Sequence, residues 1–377
     1  MTSRERVLAA LRHEEPDRVP VTLAYGHPDG LCRRFGRPEF EGRFRQDIVT
    51  LGFKDPPSPE AVLRATCLPR LPSHARVDAW GRCRVPNERG DAYRLICPLE
   101  NATDAAAIDL FPFPEISRPE CHAHLDDEVA ALQRNGLAVQ GQMSQTIFEL
   151  TWELCGMERT LMDLASDPDF ILAVFDRLLD LRLFQARRYA QSGVDILRVG
   201  DDVGTQEGMM IAPALWRKHL KPRLANVIAA ARTVNPTIAV NYHSDGNIQA
   251  IIPDLIEIGV TILNPIQPEC MDPAAIKREY GARLTLLGAI GTQSTLPFGT
   301  PGDVKQMVAR RMRECAPGGG FVIAPTHSLR PEVPWENIVA FYEAVEACGQ
   351  RPSGVSEGGL TGGRNGSAAS PKVPANH

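Results

Sequence analysis

The chain has 377 residues, a net charge of -5, 43% hydrophobic and 23% charged residues, ordinary values for a globular protein. The acidic balance excludes the basic patch of a nucleic-acid binder, and no apolar run of about 18 residues is present to span a membrane. Nine cysteines, odd in number and without a C-x-x-C pair, point to free thiols in a reducing, cytoplasmic setting rather than a disulfide framework.

The first residues, MTSRERVLAALRHEEPDRVP, carry no apolar core of a secretory signal. They read as a helix capped by Thr2 or Ser3, with Val7, Leu8 and Leu11 on one face and Pro16 as its stop. Residues 18–24 look like a first strand ending in Tyr25-Gly26-His27. The segment 28–137 is less regular and rich in proline. A strand-like patch from Arg76 to Leu99 has turn signals at Asn87 to Gly90. It is expected to be one insertion, with a hairpin folded over the mouth of the main domain.

From residue 137 a rhythm sets in. Apolar runs at 137–140, 196–199, 238–241, 261–263, 284–287 and 321–324 alternate with helical stretches near 146–192, 213–233, 247–257, 272–279, 301–315 and 335–347. Strands alternating with helices predict βαβ units and a parallel sheet. With the first strand this makes seven, spread over most of the chain, which favours an α/β (β/α)8 TIM barrel with an insertion after the first strand. A doubly wound sheet is second, because no G-x-G-x-x-G follows the first strand. Residues 1–348 would form the barrel. Residues 349–377, rich in Gly, Ser, Pro and Asn, would be a disordered tail.

A barrel places its chemistry at the C-terminal ends of its strands. The residues that follow the runs are Asp201 and Asp202, then His243-Ser244-Asp245, Asn264 and Gln267, Gln293, and His327. His243 and Asp245 share i, i+2 spacing and so one side of an extended chain. With His327 they could converge on Zn²⁺ or another divalent ion. The alternative is that both histidines are hydrogen-bonded strand ends and Asp245 caps the following helix. Asp201 and Asp202 are adjacent and face different ways, so one could serve the barrel mouth and the other pair with a loop or an arginine.

At these residues the chain resembles the uroporphyrinogen decarboxylase-like superfamily, in its branch of cobalamin-dependent methyltransferases. The matching blocks are Arg6 to Leu11 with Pro16 to Pro20, Phe148-Glu149-Leu150 with Gly156-Met157-Glu158, and Gly200 to Gln206. They continue through His243 to Asn247, Asn264 to Pro268, Gly288 to Gln293, Pro297 to Thr300, Ala324 to His327 and Pro334 to Ile338. The resemblance covers about residues 2–348 and implies a (β/α)8 barrel. The decarboxylase branch carries arginines after its first strand to grip porphyrin carboxylates. Here that place reads Tyr25-Gly26-His27-Pro28-Asp29-Gly30, which speaks against porphyrin decarboxylation.

The methyltransferase branch binds zinc through a His-x-Cys pair and a later Cys. His243 matches that histidine, Asp245 stands where the first cysteine would be, and His327 stands at or near the second. The resemblance therefore implies a metal site of harder donors, better suited to polarising an ether, a hydroxyl or water than to activating a thiol. It implies a one-carbon enzyme moving a methyl group between a small-molecule donor or acceptor and a corrinoid on a partner carrier protein, since no Asp-x-His-x-x-Gly run marks a corrinoid module in this chain. Asp201 or Asp202 and Glu149 would position substrate or shuttle a proton, and Gln206, Asn264, Gln267 and Gln293 would line the pocket. Two other readings stand beside it. One is a decarboxylase or lyase of a small carboxylate, anchored by Arg198 or Arg330. The other is a catalytically silent binding protein.

Overall fold

The computed structural model describes residues 1–88 and 92–349. Seven parallel strands form one curled sheet in the order β1-β5-β6-β7-β8-β9-β10. They are β1 (Ile48–Leu51), β5 (Ala138–Ser144), β6 (Ile196–Gly200), β7 (Ala239–His243), β8 (Ile262–Ile266), β9 (Thr285–Ile290) and β10 (Phe321–Pro325). Strands β6, β8, β9 and β10 are buried along their whole length. Helices cover one face and the barrel interior the other, which is why these strands read as unbroken apolar runs. No helix among the described residues is long and apolar enough to cross a membrane.

The expected first strand, 18–24, is reduced to a single bridge between Val21 and Ile323. Pro20 has no N–H to give, so a regular ladder cannot run through it. The segment still closes the ring. Ile323 donates to Pro20 O at 2.9 Å and Thr22 donates to Ile323 O at 3.1 Å, while Asp47 donates to Val21 O at 2.8 Å on the other side. The buried Asp47 carboxylate fastens this closure. It accepts two 2.7 Å bonds from Arg18, one from Val21 N at 2.8 Å and one from Arg6 at 3.3 Å. The fold is thus TIM-barrel-like, with its first stave held by a few backbone bonds on either side and by the Asp47 clamp.

The segment 28–137 is not one insertion. Its residues Ile48–Leu51 are barrel strand β1, in register with Ala138 to Gly141 of β5. What is inserted after β1 includes a three-stranded antiparallel sheet of β2 (Arg76–Val77), β3 (Cys83–Pro86) and β4 (Tyr93–Ile96). It is tied to helix Phe148–Cys155 by the buried Glu153, which pairs with Arg82 at 3.0 Å and Arg84 at 2.8 Å. The expected turn at Asn87 to Gly90 lies between β3 and β4, partly outside the described residues. The tail from residue 350 also lies outside them.

The helix expected over 146–192 is three helices, Phe148–Cys155, Met157–Ala165 and Asp169–Gln191. Gly156, at φ +91°, breaks the first from the second, a conformation that favours glycine. Helix Ser3–Leu11, with a capping box between Thr2 and Glu5, places Val7 in one buried cluster whose members include Ile48, Ala138, Ile196 and Ile262. Each of those four starts its strand or stands at its N-terminal end, so the helix plugs that end of the barrel. The opposite end remains for chemistry.

Above this apolar plug the interior turns polar. Asn241 donates to Gln140 at 2.7 Å, and Gln140 donates to Thr50 at 3.1 Å. The two-residue alternation of the strands then places Arg198 on the same side as Ile196, and His243 on the same side as Asn241. Residues of this inner column carry the site.

Candidate functional site

His243 ends β7 and is 4% exposed. Its Nδ1 lies 2.7 Å from Asn264 Oδ1, and the Asn264 amide nitrogen donates to Leu287 O at 3.2 Å. That second bond turns the oxygen toward the ring, which sets the proton on Nδ1 and the lone pair on Nε2. Arg198 Nη2 stands 3.1 Å from Nδ1. Burial, and then this cation, hold His243 well below the usual histidine range. The ring is a neutral imidazole, the form that ligates metals.

Two carboxylates face Nε2. Asp202 Oδ1 is 3.8 Å away and Asp245 Oδ1 is 3.9 Å away, each with about a third of its side chain exposed. Donor atoms of Asp202, His243 and Asp245 all lie within 4.8 Å of one another. The two acid-bearing loops are locked together. Asp245 N–H donates to Asp202 Oδ1 at 2.8 Å, Gly246 N–H donates to Gln267 Oε1 at 3.1 Å, and Asn247 N–H donates to Thr205 O at 2.7 Å. Glycine is required at the crossing. A Cβ on Gly246, which has φ +81°, would stand 2.5 Å from the Gly204 carbonyl carbon. Gly200, paired with His243 across the sheet, could carry a side chain only by driving it to 1.9 Å from His243 O.

Of the three donors expected from the sequence, the structure brings His243 and Asp245 together and adds Asp202. His327 borders the group: its Nε2 is 3.8 Å from Asp245 Oδ2, and 39% of its side chain is exposed. Asp201 and Asp202 do face different ways. Asp201 turns from the barrel mouth to accept N–H bonds from Ile147 at 3.0 Å and Glu149 at 3.0 Å, at the start of helix Phe148–Cys155, where a carboxylate is favoured. Its role is therefore to place that helix. Burial still pushes its carboxyl up to about 7.

Helix Phe148–Cys155 carries Glu149, 9% exposed. Its Oε2 accepts the Asp202 N–H at 2.9 Å. Burial first, then the charges of Asp202 and Asp201, push Glu149 up to about 9. Asp245 is pushed up to about 7 by desolvation and by Asp202, and Asp202 is raised by desolvation. Three carboxyls share this corner with one buried guanidinium, that of Arg198. His243, Asp202 and Asp245 could hold a cation where their donor atoms converge.

A cleft of about 460 Å³ opens beside the group, lined by Asp245, Gln267, Gln293, His327 and Arg330, with Pro297, Phe298 and Val333 as its apolar wall. Gln206 donates to Gln293 at 2.8 Å and accepts from Cys270 at 3.0 Å, so it braces the rim. Asn264 does not line the cleft; it is 1% exposed and orients His243. No cysteine belongs to the donor group among the described residues.

Tyr25 was not singled out from the sequence. Its hydroxyl donates to His243 Nε2 at 3.0 Å. Its ring lies 5.0 Å from that of His327 and 5.9 Å from that of His243. The signal was its place right after the first strand, where the strand-end rule applies as well as it does at β7.

In fold the chain is similar to a methyltransferase from Methanosarcina mazei, at 19% identity and TM-score 0.62, over 92% of this chain and 99% of that one. A B12-independent methionine synthase from Shewanella aligns at 9% identity and TM-score 0.45, over 88% of this chain and 95% of the other. No curated protein sequence matches. The family model described as uroporphyrinogen decarboxylase (URO-D) matches residues 128–348, more than half of the chain and all of β5 to β10. The chain belongs to the uroporphyrinogen decarboxylase family.

Proposed function

We propose that this protein is a metal-dependent methyltransferase or demethylase, moving a methyl group between a small molecule and a corrinoid carried by a partner protein in the cytoplasm. One observation carries the reading: a neutral imidazole nitrogen faces two carboxylates at the open end of a barrel. The fold likeness to a methyltransferase supports it. His243, Asp202 and Asp245 would hold the ion, with His327 beside them. Zinc or another divalent metal suits these donors. Bound there, it supplies Lewis acidity toward a substrate heteroatom, and a set without thiolates favours oxygen over sulfur.

The chain's own residues do the rest. Asn264 keeps the His243 lone pair directed at the site. Glu149, protonated at neutral pH, holds a proton directly behind Asp202. Gln267, Gln293 and Arg330 offer polar contacts to a substrate in the cleft, and Pro297, Phe298 and Val333 offer it an apolar wall.

A carboxylate lyase would need a cation free to grip its substrate. Arg198 is not free: it is 2% exposed, donates to Ala24 O at 2.9 Å and lies 4.7 Å from the Tyr25 ring centroid. Arg330 is then the cation that lines the cleft. The test is methyl transfer to cob(I)alamin from a panel of O-methyl and N-methyl compounds, with metal-loaded and chelated protein side by side. Methylcobalamin formed only by loaded protein supports the proposal. Decarboxylation that persists in chelator, without methyl transfer, refutes it.

A further inference from the structure

We propose that Tyr25 is a fourth donor to the metal, its phenolic oxygen joining His243 Nε2, Asp202 and Asp245. The inference rests on the metal-site reading above and adds to it a residue from a different stave of the barrel. The atom nearest Nε2 among its polar partners is not a carboxylate but the Tyr25 oxygen, at 3.0 Å, against 3.8 Å for Asp202 and 3.9 Å for Asp245. Ligands held at about 2.0–2.2 Å around a tetrahedral ion stand about 3.3–3.6 Å from one another. The three oxygens around Nε2 bracket that separation, two slightly outside and one slightly inside.

The position of the hydroxyl is specific. It donates into the lone pair of Nε2, the same lone pair that an ion would use. An ion arriving there meets the phenolic oxygen at once, so Tyr25 must either bond to it or leave. The surroundings hold it in place. Arg198 lies 4.7 Å from the ring centroid and also donates to the carbonyl of Ala24, the residue before Tyr25. The His327 ring packs on the cleft side at 5.0 Å and His243 meets it edge-on. Burial pushes the Tyr25 phenol up to about 12, with Arg198 opposing it and Asp245 and Asp202 adding to it, so the oxygen gives up its proton only as it bonds the ion, whose charge takes the proton's place. Tyr25 is 37% exposed, which leaves the ring room for the small shift that coordination needs. The resulting set of one imidazole, two carboxylates and one phenolate contains no soft ligand.

The experiment is a Zn²⁺ titration of the full-length protein, followed by calorimetry and by near-ultraviolet difference absorption. The expected result is one tyrosinate difference signal per Zn²⁺ bound in the wild type. In Tyr25→Phe that signal disappears and Zn²⁺ affinity falls by about tenfold or more. Stoichiometric Zn²⁺ binding with no tyrosinate signal, or with unchanged affinity in Tyr25→Phe, overturns the role of Tyr25 and leaves the metal site standing. No Zn²⁺ binding by the wild type overturns both. The wild-type spectrum decides the matter even if Tyr25→Phe fails to fold.

Discussion

Raising the pH should destabilise the metal-free protein, and Glu149 should be the main cause. An unfolded glutamate titrates near 4.5, whereas the folded-state carboxyl is pushed up to about 9 by burial and by Asp202 and Asp201. Between those values the folded chain binds the extra proton, so unfolding releases it and stability falls as pH rises. Each unit costs about 1.4 kcal/mol while the group stays protonated. From about pH 6 to about pH 8.5 the share of Glu149 alone is on the order of 3 kcal/mol. With an unfolding entropy of roughly 2.1 cal/mol/K per residue, that is about 4 °C in Tm. Thermal melts in chelator at the two pH values measure it, with Glu149→Gln as the control. The variant keeps the side-chain shape and an acceptor for the Asp202 N–H, and should lose about half of the slope, the remainder belonging to Asp201 and Asp245, both pushed up to about 7. Saturating Zn²⁺ should reverse the trend, because the ligands must be deprotonated to bind and binding stabilises the fold. If Glu149→Gln loses as much Tm as the wild type over this interval, the placement of a proton on Glu149 is wrong.

Asn264→Ala should keep the fold but weaken metal binding by about 10–100-fold, because Nδ1 loses the acceptor that fixes the tautomer; calorimetry with Zn²⁺ on a chelator-stripped sample reads this. Asp47→Ala should cost about 3 kcal/mol in denaturant unfolding, since it strips half-buried Arg18 of its carboxylate and the buried Val21 N–H of its acceptor, while Arg6 keeps its pair with Asp17. That variant tests how much the Asp47 clamp adds to the backbone bonds of the first stave. Gly200→Ala should abolish metal binding while Gly208→Ala, in open space, should not.

Much of the barrel is legible in the sequence, for a physical reason. Strands covered on both faces must be apolar at every position outside the interior polar layer, so β6, β9 and β10 stand out as runs. β8 is cut short in that reading because Asn264 and Pro265 look like a stop. In the fold Asn264 points inward to His243, so the strand continues to Ile266. β1 is only four residues long, amid proline-rich chain, and carries no pattern of its own. The first strand dissolves because Pro20 interrupts its ladder, and its side-chain clamp depends on Asp47, remote in sequence.

The site divides in the same way. His243 and Asp245 follow from spacing at one strand end. Adjacent aspartates must face opposite ways, but which one faces the mouth depends on where a helix N-terminus lies. The backbone donors of Ile147 and Glu149 take Asp201 and leave Asp202 for the cluster. His327 and Tyr25 come from distant staves, and only the closed ring shows that Tyr25 reaches Nε2 while His327 stops at Asp245.

The central claim is that His243, Asp202 and Asp245 hold a metal ion. Elemental analysis of the purified protein and of His243→Ala, both checked for fold by circular dichroism, tests it most directly. The account predicts one divalent ion per wild-type chain and almost none in the folded variant. A wild type that stays metal-free after incubation with Zn²⁺ and dialysis, or a variant that retains its ion, would contradict it.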